Sequence, residues 1–408
     1  MGFTIEQECP QCGAPIELDE TDRLILCPYC HVKNYLFARD YFRFLLPHKA
    51  PDHDIIYAPY MRLKGEVYLC KGAAIRHSIV DITHQGAGSE QLPISLGLRP
   101  QAMKMRFATP DVPGSFLQCM LSPSDVLTAM NKRTSVFSPG KLFHRAYIGE
   151  TISLIYLPLF VHDNRVCDAV INKPLAKLSH GEGNFSPARE ANPRWHITFM
   201  ATICPQCGWN LDGKRDSVVL TCNNCDTAWE ASEGRFTQID FSVVPGRGED
   251  MSYLPFWKIT ARDEDMGINT YADLIRITQQ PTVMQGGLKD TEPSFWIPAF
   301  KIRPKVFLRL ARQMTILQQE WRTGEHIPKK NLYPVTLPRS EAAQSLKVTL
   351  ASAVMTKRKF FPLLPHVNFT ITQYHLVYLP FRALGNDMLE EHLSISINKN
   401  TLKYGRYL

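Results

Sequence analysis

The sequence lacks every local motif that would name a catalytic reaction. Its 408 residues contain no Gly-x-x-x-x-Gly-Lys-Ser/Thr phosphate loop, no His-Glu-x-x-His pair, no Gly-x-Ser-x-Gly turn and no glycine-rich dinucleotide loop. These absences argue against nucleotide hydrolysis, metalloprotease chemistry and the common hydrolase and dehydrogenase classes. A triad assembled from distant residues leaves no such signature, so an unrecognised enzyme stays open as the third-ranked alternative.

The chain also has little surplus charge and no long apolar run. Lys and Arg number 46 against 39 Asp and Glu, a net charge of +7, which permits an anionic partner without requiring one. The longest apolar run, around Ile152–Val161, is far too short to cross a bilayer. The first residues show neither a basic start nor an apolar core, so no secretory signal is predicted. We therefore expect a cytoplasmic protein without a transmembrane segment.

Unpaired cysteines are few, because eight of the eleven fall in four Cys-x-x-Cys motifs. The three others, Cys70, Cys119 and Cys167, follow no pairing pattern. An odd remainder argues against a disulfide framework, and a reducing compartment leaves thiolates available for metal.

The four motifs form two sets with the same internal spacing. The sets are Cys9, Cys12, Cys27 and Cys30, and Cys204, Cys207, Cys222 and Cys225. The gap from second to third cysteine is 27 − 12 = 15 in one set and 222 − 207 = 15 in the other. Two such pairs at this distance are typical of a four-thiolate zinc site, so we predict two zinc ions per chain. Tetrahedral sulfur can also hold iron, which remains the alternative metal.

Residues 7–31 and 202–227 resemble the rubredoxin-like zinc ribbons of transcription factors and polymerase subunits. The resemblance implies a small β fold around a structural metal and covers about an eighth of the chain. More loosely, the ribbon followed by Tyr-Leu-Pro-aromatic hairpins resembles uncharacterised bacterial zinc-ribbon proteins.

Further matches between the two halves predict a tandem duplication. Tyr156-Leu157-Pro158-Leu159 recurs as Tyr378-Leu379-Pro380-Phe381, after each half's cysteine set and in the same order. The expected fold is α+β and mainly β, each half a zinc ribbon followed by a mainly antiparallel β domain with one or two helices. The predicted segments are ribbon 1 at 1–40, a β-rich domain at 41–180, a linker at 181–199, ribbon 2 at 200–235, and a second β-rich domain at 236–408 with a helical insertion at about 305–357.

The aromatic-proline motif also occurs as Tyr57-Ala58-Pro59-Tyr60 and Tyr253-Leu254-Pro255-Phe256. Proline cannot donate to a sheet ladder, so we expect each such strand to lie at an edge or to begin there. The motifs are then either edges that receive a partner segment or core strands of the repeated domain. After the first motif, Gly65–Leu69 is expected to form the second strand of a hairpin.

One helix and one basic segment complete the sequence predictions. Spacings of three and four place Phe307, Leu310 and Met314 on one face of a helix predicted for Val306–Trp321. Lys357, Arg358, Lys359 and Phe360 combine cations with an aromatic ring, a pattern compatible with single-stranded nucleic acid.

Taken together, these features favour a non-enzymatic protein that acts as a protein–protein binding or assembly module. The closed metal sites, the missing catalytic motifs and the repeated aromatic-proline strands motivate this hypothesis. A nucleic-acid-binding zinc-ribbon protein is the alternative, and a small-molecule substrate is not expected.

Overall fold

The computed structural model describes residues 2–50, 54–122, 124–128, 140–178, 195, 197–248, 251–281, 289–328, 331–390 and 392–408. The fold is mostly β, with 43% strand and 17% helix, which confirms the α+β, mainly β class. Most of the predicted linker at 181–199 lies outside the described residues. Among the described helices, none combines the length and the apolar character that a membrane span requires.

Thirteen strands lie between Thr4 and Ala201 in the described part of the chain. They are β1 (Thr4–Glu8), β2 (Pro15–Asp19), β3 (Leu24–Leu26), β4 (Lys33–Ala38), β5 (Phe42–Leu45), β6 (Ile56–Lys71), β7 (Ala74–Gln85), β8 (Met105–Phe107), β9 (Ser115–Phe116), β10 (Leu142–His162), β11 (Arg165–Asp168), β12 (Lys173–Lys177) and β13 (Ile197–Ala201). The prediction of a hairpin at Gly65 is wrong, because β6 runs through it. A Cβ at Gly65 would lie 2.9 Å from the Cα of Glu150, so this glycine permits a close backbone approach.

Nine further strands lie in the described part of the second half. They are β14 (Val219–Cys222), β15 (Thr227–Ser232), β16 (Arg235–Ile239), β17 (Phe241–Val243), β18 (Met251–Arg262), β19 (Ser294–Pro298), β20 (Thr370–Leu384), β21 (Asp387–Glu390) and β22 (Ile395–Asn398). The described helices are Arg99–Ala102, Tyr271–Thr278, Pro304–Leu317, Arg339–Gln344, Leu346–Ala353, Lys357–Phe360 and Lys399–Gly405, with a 3-10 turn at Phe361–His366. The helices therefore concentrate after Pro304.

The chain divides into two compact units that do not follow chain order. Unit 1 comprises 1–64, 80–139 and 151–201, and unit 2 comprises 65–79, 140–150 and 202–408. Strands β6, β7 and β10 therefore each contribute residues to both units. The domain boundaries predicted from the sequence run in chain order and stay a prediction.

Unit 1 is built on one large sheet beside the first cysteine set. Its strand order is β12-β11-β10-β5-β8-β1-β2, and β10 also pairs with β6. Strand β5, the second strand after the first cysteine set, runs parallel to β10 with Leu45 opposite Tyr156. A separate three-stranded sheet has the order β13-β4-β3.

Unit 2 contains a main sheet of six strands and the second cysteine set. The order of its main sheet is β19-β18-β20-β21-β22, and β17 runs parallel to β20 with Val243 opposite Tyr378. Strands β14, β15 and β16 form a second sheet. The helix Pro304–Leu317 contributes the buried side chains of Phe307 and Met314 to the core of this unit.

The predicted helix Val306–Trp321 is confirmed in position but is shorter at its C-terminal end. It begins at Pro304, where the missing amide costs no helical hydrogen bond. It ends at Leu317, because Gln318 takes the left-handed conformation with φ 42° and donates its amide to the Met314 carbonyl.

The expectation that the aromatic-proline strands lie at sheet edges is wrong. Strands β10, β18 and β20 each pair with neighbours on both sides. In three motifs the neighbouring strand ends opposite the proline, and the first residue after that strand donates its amide to the proline carbonyl. These bonds are Gly86 to Pro59 at 2.8 Å, Ala169 to Pro158 at 3.0 Å and Ala299 to Pro255 at 3.0 Å. The proline therefore marks the end of its neighbour's ladder, where no amide donor is needed.

A charged network is buried in unit 1 on the strand β6. The side chain of Arg62 is 1% exposed and forms an ion pair with Glu20, which is also buried. Its Nε lies 2.8 Å from Asp81 Oδ1. Lys64 Nζ lies 3.4 Å from Glu20 Oε2 and gives that carboxylate a second cation. Each buried charge in this network thus has an opposite charge beside it.

Candidate metal centres

The first cysteine set converges at one end of β1 and β3. Cys9 and Cys12 lie in the turn between β1 and β2, and Cys27 and Cys30 lie in the turn between β3 and β4. The Sγ atoms of Cys9 and Cys30 are 3.8 Å apart, as are those of Cys12 and Cys27. All four sulfur atoms lie within 4.8 Å of one another.

The second cysteine set has the same geometry in unit 2. Cys204 Sγ lies 3.7 Å from Cys225 Sγ, and Cys207 Sγ lies 3.5 Å from Cys222 Sγ. Again all four sulfur atoms lie within 4.8 Å of one another. Both sets also share one order of exposure along the chain: buried, exposed, buried and half-buried.

Each Cys-x-x-Cys turn closes with a residue in the left-handed conformation directly after its second cysteine. These residues are Gly13 at φ 73°, His31 at φ 57°, Gly208 at φ 75° and Asp226 at φ 49°. The amides of Gly13, His31 and Gly208 donate to the carbonyl of the first cysteine of their turn at 2.9–3.0 Å. Glycine adopts this conformation freely, and His and Asp are among the side chains that tolerate it best.

The sulfur positions fit a tetrahedral metal ion. A zinc–sulfur bond of about 2.3 Å in a tetrahedron places neighbouring sulfur atoms about 3.8 Å apart. The observed pairs at 3.5–3.8 Å are close to that value. The two sets could therefore hold two metal ions, each with four thiolate ligands and no open position for water or substrate.

The turns also favour the ionised form of selected thiols. The backbone amide of Cys30, with that of Tyr29 acting in the same direction, lowers the pKa of Cys27 to about 7. The side-chain amide of Asn224, together with the backbone amide of Trp209, lowers the pKa of Cys207 to about 6. Donors aimed at sulfur stabilise a thiolate, which is the form that binds metal.

Ribbon 2 has a further donor that ribbon 1 lacks. The indole N–H of Trp229 donates to Thr227 Oγ1 at 2.9 Å. The same hydroxyl lies 3.1 Å from Cys225 Sγ and 3.8 Å from Cys204 Sγ, and its hydrogen can be donated to either sulfur. The corresponding position after Cys30 is Val32, whose side chain has no polar hydrogen and which reaches the Cys30 sulfur only through its backbone amide. At this position the second centre therefore has a side-chain hydroxyl beside its sulfur atoms, where the first centre has an apolar side chain.

Both centres carry exposed apolar side chains on or next to the cysteine turns. In ribbon 1, Tyr29 is 64% and Leu26 is 55% exposed. In ribbon 2, Trp209 is 60% and Ile203 is 51% exposed. We call these four residues the knuckle surface. Large aromatic rings at such exposure on tight turns are typical of contact sites and not of a packed core.

The segment predicted to bind nucleic acid is partly exposed and partly buried in the structure. Lys357–Phe360 forms a single helical turn in which Arg358 and Lys359 are exposed. Lys357 donates to the Val354 carbonyl at 3.0 Å. Phe360 is buried in the core of unit 2, so its ring is not available for base stacking. The exposed part of the segment therefore offers charge alone.

A cluster of carboxyl groups in unit 2 was missed from the sequence. Glu66, Glu150 and Glu341 all interact electrostatically with Lys301. Oε1 of Glu66 and Oε2 of Glu341 are buried without a hydrogen-bond partner among the described residues. Burial raises the pKa of Glu341 to about 7. The sequence signal for this cluster is Glu66, a charged residue inside the largely buried strand β6. When both faces of a strand are covered, the alternation of polar and apolar residues does not show which positions are buried.

We predict that Glu66→Gln stabilises the protein increasingly as pH rises. Burial raises the pKa of Glu66 from 4.5 to about 8, although the Tyr68 hydroxyl and Lys301 act in the opposite direction. Between these values the folded chain binds more protons than the unfolded chain, so the free energy of unfolding falls with pH. The gain from Glu66→Gln should grow by on the order of 2–3 kcal/mol from about pH 6 to about pH 9.

Urea unfolding across this pH range measures the effect. The exposed Glu264→Gln serves as the control, with no pH-dependent gain expected. A gain from Glu66→Gln that is constant with pH would show that Glu66 is ionised throughout.

Comparisons of the chain with family models, with curated proteins and with solved structures give no match. The fold and the two cysteine centres therefore define the class by themselves: a mainly β protein with two four-cysteine sites that could each hold a metal ion.

Proposed function

We propose that this chain is a non-enzymatic zinc-binding protein that uses two structural zinc ions to hold protein-binding surfaces. One observation carries the proposal: each four-cysteine centre presents an exposed aromatic side chain on its turns. Four thiolates fill the coordination shell, so the metal fixes the turns and activates no substrate. A reducing compartment such as the cytoplasm suits eight metal-binding thiols.

The knuckle surface supports a protein partner in particular. Tyr29 and Trp209 each expose more than half of their surface while the backbone beside them is tied by turn hydrogen bonds. Ordering a rigid aromatic side chain costs little conformational entropy, and Trp and Tyr dominate the binding energy of many protein interfaces. The proposed role is therefore assembly through these rings.

We further propose that the two halves arose by tandem duplication. Strands β5, β6, β7, β10, β11 and β12 have the same pairing scheme as β17, β18, β19, β20, β21 and β22. In both halves a short strand downstream of the cysteine set, β5 or β17, runs parallel to the strand of the Tyr-Leu-Pro motif and ends opposite its tyrosine. One ancestral unit of ribbon and sheet explains both the spacing of the cysteines and this shared pairing.

The test is affinity capture with a matched set of variants. Tagged wild-type protein and a Tyr29→Ser/Trp209→Ser double variant are incubated with nuclease-treated lysate of the native cells, and the captured proteins are identified by mass spectrometry. We expect specific partners on the wild type and their loss from the double variant, with two metal ions per chain in both. Tyr407→Ser, an exposed tyrosine outside the ribbons, is the control and should retain the partners. Equal capture by the double variant would contradict the proposal.

Nucleic acid is the second candidate partner, favoured by the exposed side chains of Arg358 and Lys359 and by the net charge of +7. Contacts to phosphate alone predict an affinity that falls steeply with salt. Partners that disappear from the wild type after nuclease treatment would favour this candidate over direct protein binding.

A further inference from the structure

Unit 2 contains a groove of about 750 Å³ that is separate from both cysteine centres. The helix Pro304–Leu317 lines one side, and the beginning of β7 lines another. The volume lies within the range of about 300–1,000 Å³ that is usual for ligand sites. None of the residues that line it belongs to a ribbon.

The charged residues that line this groove are all cationic. Lys305, Arg309 and Arg312 follow one another on the helix at spacings of four and three, which places them on the same face. Lys357 and His77 also line the groove, whereas no carboxylate is among its lining residues. Burial, with the nearby Arg312 charge acting in the same direction, lowers the pKa of Lys357. Four cations without an acidic neighbour in the lining form a site for an anionic group.

Apolar side chains form much of the remaining lining. Ile75 comes from β7, and Val306 and Leu308 come from the helix. Among the described strands β7 pairs only with β6. The Gln85 amide at its far end bonds to the Ile94 carbonyl, so a strand could be added along its first residues, which line the groove. No aromatic residue other than His77 lines the groove, and base stacking on a nucleic acid would need such rings. Cations, apolar surface and an open strand edge together match a peptide better than a polynucleotide.

We propose that this groove binds an extended acidic segment of a partner protein, with apolar side chains between its carboxylates. The carboxylates pair with Lys305, Arg309 and Arg312, and the apolar side chains cover Ile75 and Val306. This inference names a class of partner for the protein-binding role proposed above and rests on that role.

The experiment measures binding of a fluorescent peptide that alternates Glu and Leu to the metal-loaded full chain. We expect Lys305→Gln/Arg312→Gln to weaken binding about tenfold, since it removes two charge pairs. The matched control Arg358→Gln/Lys359→Gln removes the same charge from exposed positions that do not line the groove, and should change the affinity less than about twofold. Peptides that alternate Glu with Ser, or Lys with Leu, should bind more weakly than the first peptide.

Several outcomes would overturn the proposal. One is equal weakening by both double variants, which would mean a non-specific charge effect. Another is tighter binding of single-stranded RNA or inorganic polyphosphate that is lost in Lys305→Gln/Arg312→Gln, which would assign the groove to a polyanion. The variant Trp209→Ser separates peptide binding in the groove from binding at the knuckle surface, because this variant should bind the peptide as the wild type does. Failure of the peptide to bind would leave the knuckle surface as proposed, whereas the capture of no protein partner at all would remove the role on which the groove proposal rests.

Discussion

Replacement of Cys204 by serine is expected to remove about one equivalent of metal per chain and to unfold ribbon 2. Three thiolates and a neutral hydroxyl no longer form the tetrahedral shell that the four sulfur atoms describe. Apparent metal-binding free energies of about 10–16 kcal/mol in zinc-finger peptides are also folding free energies, so loss of the metal should destabilise the ribbon strongly. Ribbon 1 keeps its own four cysteines and should keep its ion.

Metal analysis combined with hydrogen exchange measures both parts of this expectation. Amides in β14 and β15 should lose protection in Cys204→Ser, and amides in β1 and β2 should lose it in the matched variant Cys9→Ser. Cys119→Ser tests a cysteine outside both sets and should retain two equivalents. Unchanged metal content in Cys204→Ser would show that the second set is not a metal centre.

Arg62→Met is expected to destabilise unit 1 by about 3–5 kcal/mol. Removing one partner of a buried ion pair leaves the other charge without compensation, and here Glu20 and Asp81 both lose the same guanidinium. Lys64 remains beside Glu20 at 3.4 Å and offsets part of the loss. Methionine fills a similar volume, so a cavity contributes little to the change.

Chemical denaturation gives the free energy of unfolding for this comparison. Lys104→Met is the control, because Lys104 forms exposed ion pairs with Glu6 and Glu17 in the same unit and should cost less than about 1 kcal/mol. Similar losses in both variants would indicate that water reaches the Arg62 network.

Local patterns predicted the parts of this protein that depend on neighbours in sequence. The cysteine spacing placed both sulfur clusters, since each turn is closed by residues within a few positions of its cysteines. The predicted helix face of Phe307, Leu310 and Met314 is confirmed for the same reason, because helical spacing is a local property.

The failures concern contacts that are distant along the chain. The missing amide of each proline predicts a position at a sheet edge. In the structure the proline lies inside a sheet, and the neighbouring strand ends beside it, so that no amide donor is needed there. Likewise, Glu66 and Glu341 are 275 positions apart (341 − 66 = 275), and no local pattern brings both of them to Lys301.

The two units are interleaved along the chain, so the second half of the sequence does not contain the whole of unit 2. A gene split between positions 181 and 199 would give two products that each hold a complete cysteine set. The second product would nevertheless lack 65–79 and 140–150, and with them Tyr68, Cys70 and Ile148, which belong to the core of unit 2. Residues 65–79 and 140–150 are therefore synthesised with the first half of the chain, and the unit to which they belong is complete only when the second half has been synthesised.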